Sequence, residues 1–499
     1  MNIIQLTPGA GAMFCGNCFR DNALVAALRQ LGHRVTLVPL YLPLTLDQED
    51  QSAGTPIFFG GINVYLEQKS ELFRHAPAWL RHLFSWRPLL RWAAGKAAKT
   101  RASELGELTL SMLRGEAGNQ AGELDELIQW VLHTQPPDDV VCLSNALLLG
   151  QARRLKSELR APLVCTLQGE DSFLDALPPT HRAACWQTLA ERAAEVDAFI
   201  APSSYFAKVM SERLGLPSAR IHMVHNGIDL AGYSPPPAPV PGVSENNPPH
   251  SALATLHSSL DTRPVLRSTS SVALRRVDRT AARGHSPPVL GYFARMCREK
   301  GLAALVEAFV ILRRRERTKG LKLRIGGSCG SADEPFVSSL RERLKQEALL
   351  EAVEFHPNLD RAAKLSFLRG LSVFSVPALY GEAFGLYLIE AMAAGVPVVQ
   401  PQTAAFPELI EATGGGVLCA PGDPKALADA IESLLLDPDR AGALGQAGAR
   451  AVFEKFSAQS MARACLRVFE DLRSSREHPQ PLAAPARSDG GPTRNLQPN

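Results

Sequence analysis

The sequence has no apolar run long enough to span a bilayer, and its amino terminus lacks the basic, apolar and small-residue progression of a signal peptide. Its formal net charge is only +3 at pH 7, so nothing in the charge balance requires nucleic acid as a partner. Nine cysteines, an odd number scattered along the chain, favour reduced thiols over a disulfide framework. These absences predict a cytoplasmic protein that does not bind nucleic acid.

The chain is long enough for two folded domains. Its 499 residues, 45% of them hydrophobic, can bury two sizeable cores. Residues 235–288 and 474–499 are rich in proline, serine and charge and are predicted to be disordered, the first as an interdomain linker. The folded parts are then an N-terminal domain over 1–234, a C-terminal domain over 289–455, and an amphipathic helix within 456–473.

Two glutamates, Glu382 and Glu390, have seven residues between them and flank the predicted start of a helix. The β-branched segment Leu371–Gly381 is typical of a buried strand that runs into a loop, and Leu386–Ala394 is typical of a helix. Glu382 would then lie in the loop, and Glu390 on the helix about 7.5 Å beyond Gly385. The two carboxylates can therefore bracket one ligand. The alternative is a solvated acidic pair beside an ordinary turn.

The helix start between these glutamates favours an anionic ligand. Its backbone N–H groups, those of Phe384, Gly385 and Leu386, and the helix dipole both attract negative charge such as that of a diphosphate. Carboxylates accept hydrogen bonds from sugar hydroxyls, so Glu390 suits a ribose and Glu382 suits a second sugar. The pattern predicts a nucleotide-sugar site.

Two cations follow the predicted strand Val289–Ala294: Arg295 and, after four further residues, Lys300. An arginine fork and a lysine charge beside a helix start can hold a diphosphate and neutralise the charge that develops as it departs. Such a site needs no metal ion. The alternative is a pair of basic residues that cap a surface turn.

The amino terminus repeats the α/β pattern. Met1–Leu6 and Arg34–Pro39 are predicted strands, and between them Gly9 and Gly11 open a loop that leads into a helix. The third glycine of a dinucleotide fingerprint is missing, because Phe14 takes its place. A lone Gly-x-Gly is a weak signal, so no NAD site is predicted.

Together these motifs resemble the retaining GT-B glycosyltransferases, specifically glycosyltransferase family 4, also called group 1. The resemblance covers most of the chain predicted to be ordered, and four downstream segments follow in the family's order: Ala394–Val399, Phe406–Leu409, Gly414–Leu418 and Pro421–Asp423. It implies an α/β fold of two Rossmann-like domains with a deep cleft between them, and a last helix that returns to the N-terminal domain. It also implies a hexosyltransferase-type enzyme that moves a sugar from a nucleotide-sugar donor to an acceptor with retention, without a metal or other cofactor.

The resemblance assigns roles to the residues above. Glu382 would orient the donor sugar and Glu390 would hold the ribose, while Arg295 and Lys300 would stabilise the departing diphosphate. The amides of the helix start would support the phosphates. The loop Gly9–Gly11 would face the cleft near the sugar and phosphate.

Gln168 departs from the family's pattern, which often has a histidine at this position. Glutamine can hydrogen-bond but cannot shuttle protons. If attack comes from the front face and the departing phosphate oxygen takes the acceptor proton, no protein base is essential. Gln168, Glu170 in the same loop, and Asn226 in a family-like Asn-Gly-x-Asp turn are candidate contacts to the sugar or acceptor. A nucleotide-sugar epimerase of similar architecture and a catalytically inactive nucleotide-sugar-binding scaffold are the alternatives.

The region of about 66–135 is expected to form a helical insertion that sets specificity for a glycan, lipid or small-molecule acceptor, in glycan or glycolipid biosynthesis. Within it, residues 74–101 contain seven Arg or Lys and no acidic residue, with aromatic and apolar residues at helical spacing. Three interpretations are open: peripheral contact with the inner face of the membrane, packing within its own domain, and binding of an anionic acceptor.

Cys15 and Cys18 have the spacing of a redox pair or of half a zinc site. A second ligand pair is missing nearby in the sequence. Packing within the glycine loop is therefore the preferred interpretation, and no metal site is predicted.

Overall fold

The computed structural model describes residues 1–9, 15–59, 102–134, 139–236 and 287–477. The predictions for Gly11, for the basic segment 74–101 and for most of 235–288 and 474–499 lie outside the described residues. Among the helices that the structure describes, none is both long enough and apolar enough to cross a membrane.

The N-terminal lobe is built on a parallel six-stranded sheet. Its strands are β1 Asn2–Thr7, β2 Arg34–Pro39, β3 Val140–Leu143, β4 Leu163–Thr166, β5 Ala198–Ala201 and β6 Ile221–Met223, hydrogen-bonded in the order β2-β1-β3-β4-β5-β6. The helices are α1 Gly16–Gln30, α2 Ala102–Arg114, α3 Ala121–Thr134, α4 Ala152–Leu159, α5 Glu170–Asp175, α6 Pro179–Ala193 and α7 Ser204–Leu214. Strands β3, β4 and β5 are buried at every position, as expected of a parallel sheet covered by helices on both faces.

The C-terminal lobe repeats this architecture. Its strands are β7 Val289–Phe293, β8 Lys322–Gly327, β9 Val353–Pro357, β10 Val373–Phe374, β11 Val398–Pro401 and β12 Gly416–Cys419, in the order β12-β11-β10-β7-β8-β9. The helices are α8 Leu302–Arg313, α9 Glu334–Gln346, α10 Arg361–Arg369, α11 Leu386–Ala393, α12 Phe406–Thr413, α13 Pro424–Leu435, α14 Pro438–Lys455 and α15 Ala458–Glu477. All pairings in both sheets are parallel, which confirms the prediction of two Rossmann-like α/β domains.

Helix α15 lies against the N-terminal lobe, although it follows the C-terminal lobe in the chain. Its Met461, Cys465 and Phe469 are buried in the same apolar core as Leu24 and Leu28 of α1. The last described helix therefore joins the core of the first domain.

The chain passes between the lobes near residues 227–228 and again near residues 456–458, and these two segments are hydrogen-bonded to each other. The Ile228 N–H donates to the Phe456 carbonyl at 2.9 Å, and the Ala458 N–H donates to the Ile228 carbonyl at 2.8 Å. A Cβ at Gly227 would lie 2.3 Å from the Ser457 carbonyl oxygen, so only glycine fits here. The crossings are thus held side by side.

The lobes also touch at the start of α7. Ser203 Oγ donates to the Ala383 carbonyl at 2.7 Å. The Glu408 carboxylate accepts from the Ser204 N–H at 2.9 and 3.0 Å and from the Tyr205 N–H at 3.3 Å. A carboxylate of one lobe therefore caps a helix of the other, which favours a fixed relation between them.

Candidate active site

A cavity of about 240 Å³ lies between the lobes. The loops that follow β7, β8 and β9 form its wall in the C-terminal lobe, and α1 and the loop after β2 form the opposite wall. In open α/β sheets, ligands bind at the carboxyl ends of the strands, because helix starts and loops converge there. The cavity is therefore the candidate binding site.

Glu382 accepts three hydrogen bonds, two of them from Lys300 and Tyr387, which line this cavity, whereas Glu382 itself is not among the lining residues. Its Oε2 lies 2.5 Å from Lys300 Nζ, 2.8 Å from the Tyr387 hydroxyl and 3.0 Å from the Tyr380 hydroxyl. Burial alone would raise the pKa of Glu382, but the Lys300 charge and these hydrogen bonds outweigh burial and lower the pKa below its ordinary value. Glu382 is thus a charged group with a fixed orientation. Neither tyrosine was identified from the sequence, although Tyr380 and Tyr387 are within five residues of Glu382.

Helix α11 begins beside this cluster, as predicted. Gly385 is its N-cap in the left-handed conformation, with φ 97°, which favours glycine. Leu386 lines the cavity. The Phe384 side chain is turned away and buried, with its ring centroid 6.0 Å from that of His225 and 6.1 Å from that of Phe456. The roles of the Phe384, Gly385 and Leu386 amides toward a phosphate stay predictions.

Glu390 lines the cavity one helical turn further on. Its Oε1 accepts from Lys364 Nζ of α10 at 2.8 Å, and the same Nζ lies 2.7 Å from Asp47 Oδ2 of the N-terminal lobe. Burial lowers the pKa of Lys364, but the two carboxylates outweigh burial and raise it, so this lysine is charged. Glu390, the residue predicted to bind the ribose, is thus oriented by a lysine that also contacts the N-terminal lobe.

Arg295 and Lys300 both line the cavity, each held by a carboxylate. The Arg295 fork binds Asp333 with two hydrogen bonds, from Nε at 3.1 Å and from Nη2 at 3.0 Å. The Arg295 side chain is 52% exposed and that of Lys300 only 20%. The structure therefore brings the two predicted cations to one cavity, with the lysine at its buried end.

Gln168, Glu170 and Asn226 form a separate polar group, and none of these three described residues lines the cavity. The Asn226 amide donates to Gln168 Oε1 at 3.1 Å. Glu170 accepts from the backbone N–H groups of Ala146 at 2.7 Å, Gln168 at 2.8 Å and Gly169 at 2.9 Å. Glu170 therefore orders the loop that carries Gln168. Their contacts to a sugar or acceptor stay predictions.

Gly9 contributes close backbone packing. Its φ is 72°, and a Cβ there would lie 1.7 Å from the Leu42 carbonyl oxygen, so no other residue fits without a shift. Its predicted place near a bound sugar stays a prediction. Across the described residues, no group of three or more His, Cys, Asp or Glu is arranged to hold a metal ion.

Two family models match the chain. The model described as Glycosyl transferases group 1 matches residues 277–451, and the model described as Glycosyltransferase Family 4 matches residues 121–231. Together they cover more than half of the chain.

Curated relatives match over parts of their length. The phosphatidyl-myo-inositol mannosyltransferase of Mycobacterium leprae is 36% identical over 136 residues, which are 27% of this chain and 36% of the relative. A D-inositol 3-phosphate glycosyltransferase of Xylanimonas cellulosilytica is 29% identical over 280 residues, 56% of this chain and 58% of the relative. The chain spans about a third to three fifths of the length of the curated relatives that it matches.

Solved structures share the fold over nearly the whole chain. Sucrose-phosphate synthase of Thermosynechococcus elongatus superposes with a TM-score of 0.64 at 17% identity and covers 95% of this chain and 100% of its own. HepE of Anabaena in complex with UDP superposes with a TM-score of 0.59 at 16% identity, covering 94% and 100%. These likenesses show the GT-B fold. The two family models, which together match more than half of the chain, establish that it belongs to the group 1 glycosyltransferases, glycosyltransferase family 4.

Proposed function

We propose that this chain transfers a hexosyl group from a nucleotide-sugar donor to an acceptor hydroxyl, with retention of configuration. The observation that carries the proposal is that Lys300, Tyr387 and Glu390 line one cavity between the lobes, with Glu382 hydrogen-bonded to Lys300 and Tyr387. A cation, a helix start and two carboxylates match the diphosphate and the two sugars of such a donor.

Lys300 and Arg295 would take up the charge that develops on the departing diphosphate. Both are positioned before any ligand arrives, because Glu382 holds Lys300 and Asp333 holds Arg295. Donors fixed in advance lower the barrier, since they need no reorganisation at the moment of reaction. No resident metal ion or other cofactor is needed in this scheme.

The chemical step would be a front-face exchange. The bond between the anomeric carbon and the phosphate oxygen breaks, and the acceptor oxygen bonds to the same face of that carbon. The acceptor proton passes to the departing phosphate oxygen, so Gln168 need not accept it. Glu382, kept ionised by Lys300, would orient the donor sugar through its hydroxyls.

Nucleotide binding tests the proposal first. HepE of Anabaena was solved with UDP, so UDP leads a panel with GDP, ADP and CMP. A nucleotide at about 100 times its Kd should stabilise the wild type by about 2.7 kcal/mol, visible as a rise in Tm. Glu390→Ala should weaken binding of the same nucleotide by about tenfold or more, because a hydrogen bond to a charged group contributes roughly 1.5–3 kcal/mol.

Glu316→Ala is the matched control, since the Glu316 side chain is 83% exposed and, within the described parts of the chain, forms an ion pair only with the nearby Lys319. It should bind the nucleotide as the wild type does. An equal Tm rise in wild type and Glu390→Ala would contradict the role of Glu390. No rise with any of the four nucleotides in the wild type would oppose the donor site itself.

A further inference from the structure

Two thiols lie at the start of α1, a helix that contributes to the cavity wall, although neither cysteine is among the lining residues. Cys15 is the N-cap residue and half buried, and Cys18, three residues further on, is fully buried. Residues three apart on a helix have Cα atoms about 5 Å apart, within the range of about 4.4–6.8 Å that a disulfide spans. The two cysteines are therefore within the reach of a disulfide.

The two sulfurs differ in reactivity. The hydrogen bond from the Cys18 thiol lowers the pKa of Cys15, burial opposes this, and the N–H groups of Cys18 and Asn17 add to the lowering, which brings the pKa to about 7. The same contact and burial raise the pKa of Cys18. A thiolate at a helix start is the typical attacking sulfur of a Cys-x-x-Cys pair, with the second cysteine as the resolving sulfur.

The other cysteines do not share this environment. Burial raises the pKa of each of the remaining seven thiols: Cys142, Cys165, Cys185, Cys297, Cys329, Cys419 and Cys465. Of these, Cys329 is half exposed as Cys15 is, so it is a matched comparison for reactivity.

The pair lies next to the candidate donor site. Gly16 and Phe19, which neighbour the two cysteines, line the cavity. A Cβ on Gly16 would lie 3.6 Å from Leu386 Cδ1, so the start of α1 packs against the start of α11. A covalent bond in this turn would therefore change the wall that faces the nucleotide.

We propose that Cys15 and Cys18 are a thiol–disulfide exchange site whose co-substrate is a low-molecular-weight disulfide such as oxidised glutathione, and that its oxidation state changes nucleotide affinity. The second part rests on the proposed function. The Cys15 thiolate attacks one glutathione sulfur, which forms a mixed disulfide and releases glutathione thiolate. Cys18 then attacks the Cys15 sulfur, its proton going to the second departing glutathione. Two protein thiols are oxidised and one glutathione disulfide is reduced to two thiols.

Peptide mapping of the full chain tests the first part. The reduced protein is incubated with oxidised glutathione, quenched in acid, alkylated and digested. The expected product is a Cys15–Cys18 disulfide peptide that dithiothreitol reverses. In Cys18→Ser, Cys15 should instead retain glutathione, since no resolving thiol is present, whereas Cys329 should stay free in both proteins. A wild-type peptide with both thiols alkylated, or faster modification of Cys329 than of Cys15, would overturn the exchange site.

Nucleotide affinity tests the second part. The nucleotide that raises the Tm of the reduced wild type is titrated against oxidised and reduced protein, with Cys329→Ser treated identically as the control. We expect at least a threefold difference in Kd between the two oxidation states of both proteins. Equal Kd values would overturn the coupling to the cleft. A protein that forms the disulfide but binds no nucleotide in either state would instead oppose the proposed function.

Discussion

Lys300→Met is expected to lower kcat/KM for sugar transfer by about 10² to 10³-fold, the usual effect of removing one group that stabilises charge in the transition state. Lys300 is the more buried of the two cavity cations that follow β7, so its charge acts where water screens it least. The substitution also leaves Glu382 as a buried carboxylate without its cation. We therefore expect a loss of stability of about 3 kcal/mol, measured as a lower urea midpoint.

The double variant Lys300→Met with Glu382→Gln separates the two effects. The neutral amide removes the unpaired charge, so the urea midpoint should recover in part while kcat/KM stays low. Lys319→Met, whose lysine is 66% exposed, is the control and should match the wild type in both measurements. Full activity in Lys300→Met, or recovery of activity in the double variant, would show that Lys300 acts only as a structural partner of Glu382.

The sequence allowed the loop and the helix of the candidate C-terminal site to be predicted because their signals are local. A β-branched strand, a glycine before a helix and two glutamates at fixed spacing placed Glu382 in a loop and Glu390 on a helix, and the structure agrees. The left-handed conformation of Gly385 follows from its place as N-cap. Likewise, Arg295 and Lys300 follow one strand end, so their arrival at one cavity follows from the βα connection.

Contacts between distant elements were not predictable in the same way. Lys364 contacts both Glu390 and Asp47 because α10, α11 and the loop after β2 meet across the cleft. The spacing of apolar residues within each element does not predict that meeting. The pairing of Gln168 with Asn226, 58 residues away, likewise depends on β4 and β6 ending at the same edge of the sheet, although β5 lies between them. Sequence patterns describe each strand and helix, whereas the second partner of a polar group depends on how the lobes pack.

Glu382→Gln is expected to lower kcat/KM by about 10²-fold, because the amide cannot attract Lys300 or hold a donor hydroxyl with the strength of a carboxylate. It should also change how stability depends on pH. The pKa of Glu382 is lower in the folded protein than its ordinary value of 4.5. The folded state therefore binds this proton less readily than the unfolded state does, and acid favours unfolding. The stabilisation is complete above the ordinary pKa and is lost as pH falls through the lower folded value.

Urea unfolding of the wild type and Glu382→Gln at several pH values measures this directly. The wild type should be more stable at neutral pH, and its advantage should shrink once the pH falls below the ordinary value of 4.5. Glu316→Gln removes an 83% exposed carboxylate of the same lobe and should show almost no difference from the wild type at any pH. If the difference in unfolding free energy between the wild type and Glu382→Gln stays constant into acid, the two side chains differ in shape or packing alone. The same carboxylate holds Lys300. If the stability advantage of the wild type and its kcat are lost together in acid, both the stability and the activity depend on the ionised form of Glu382.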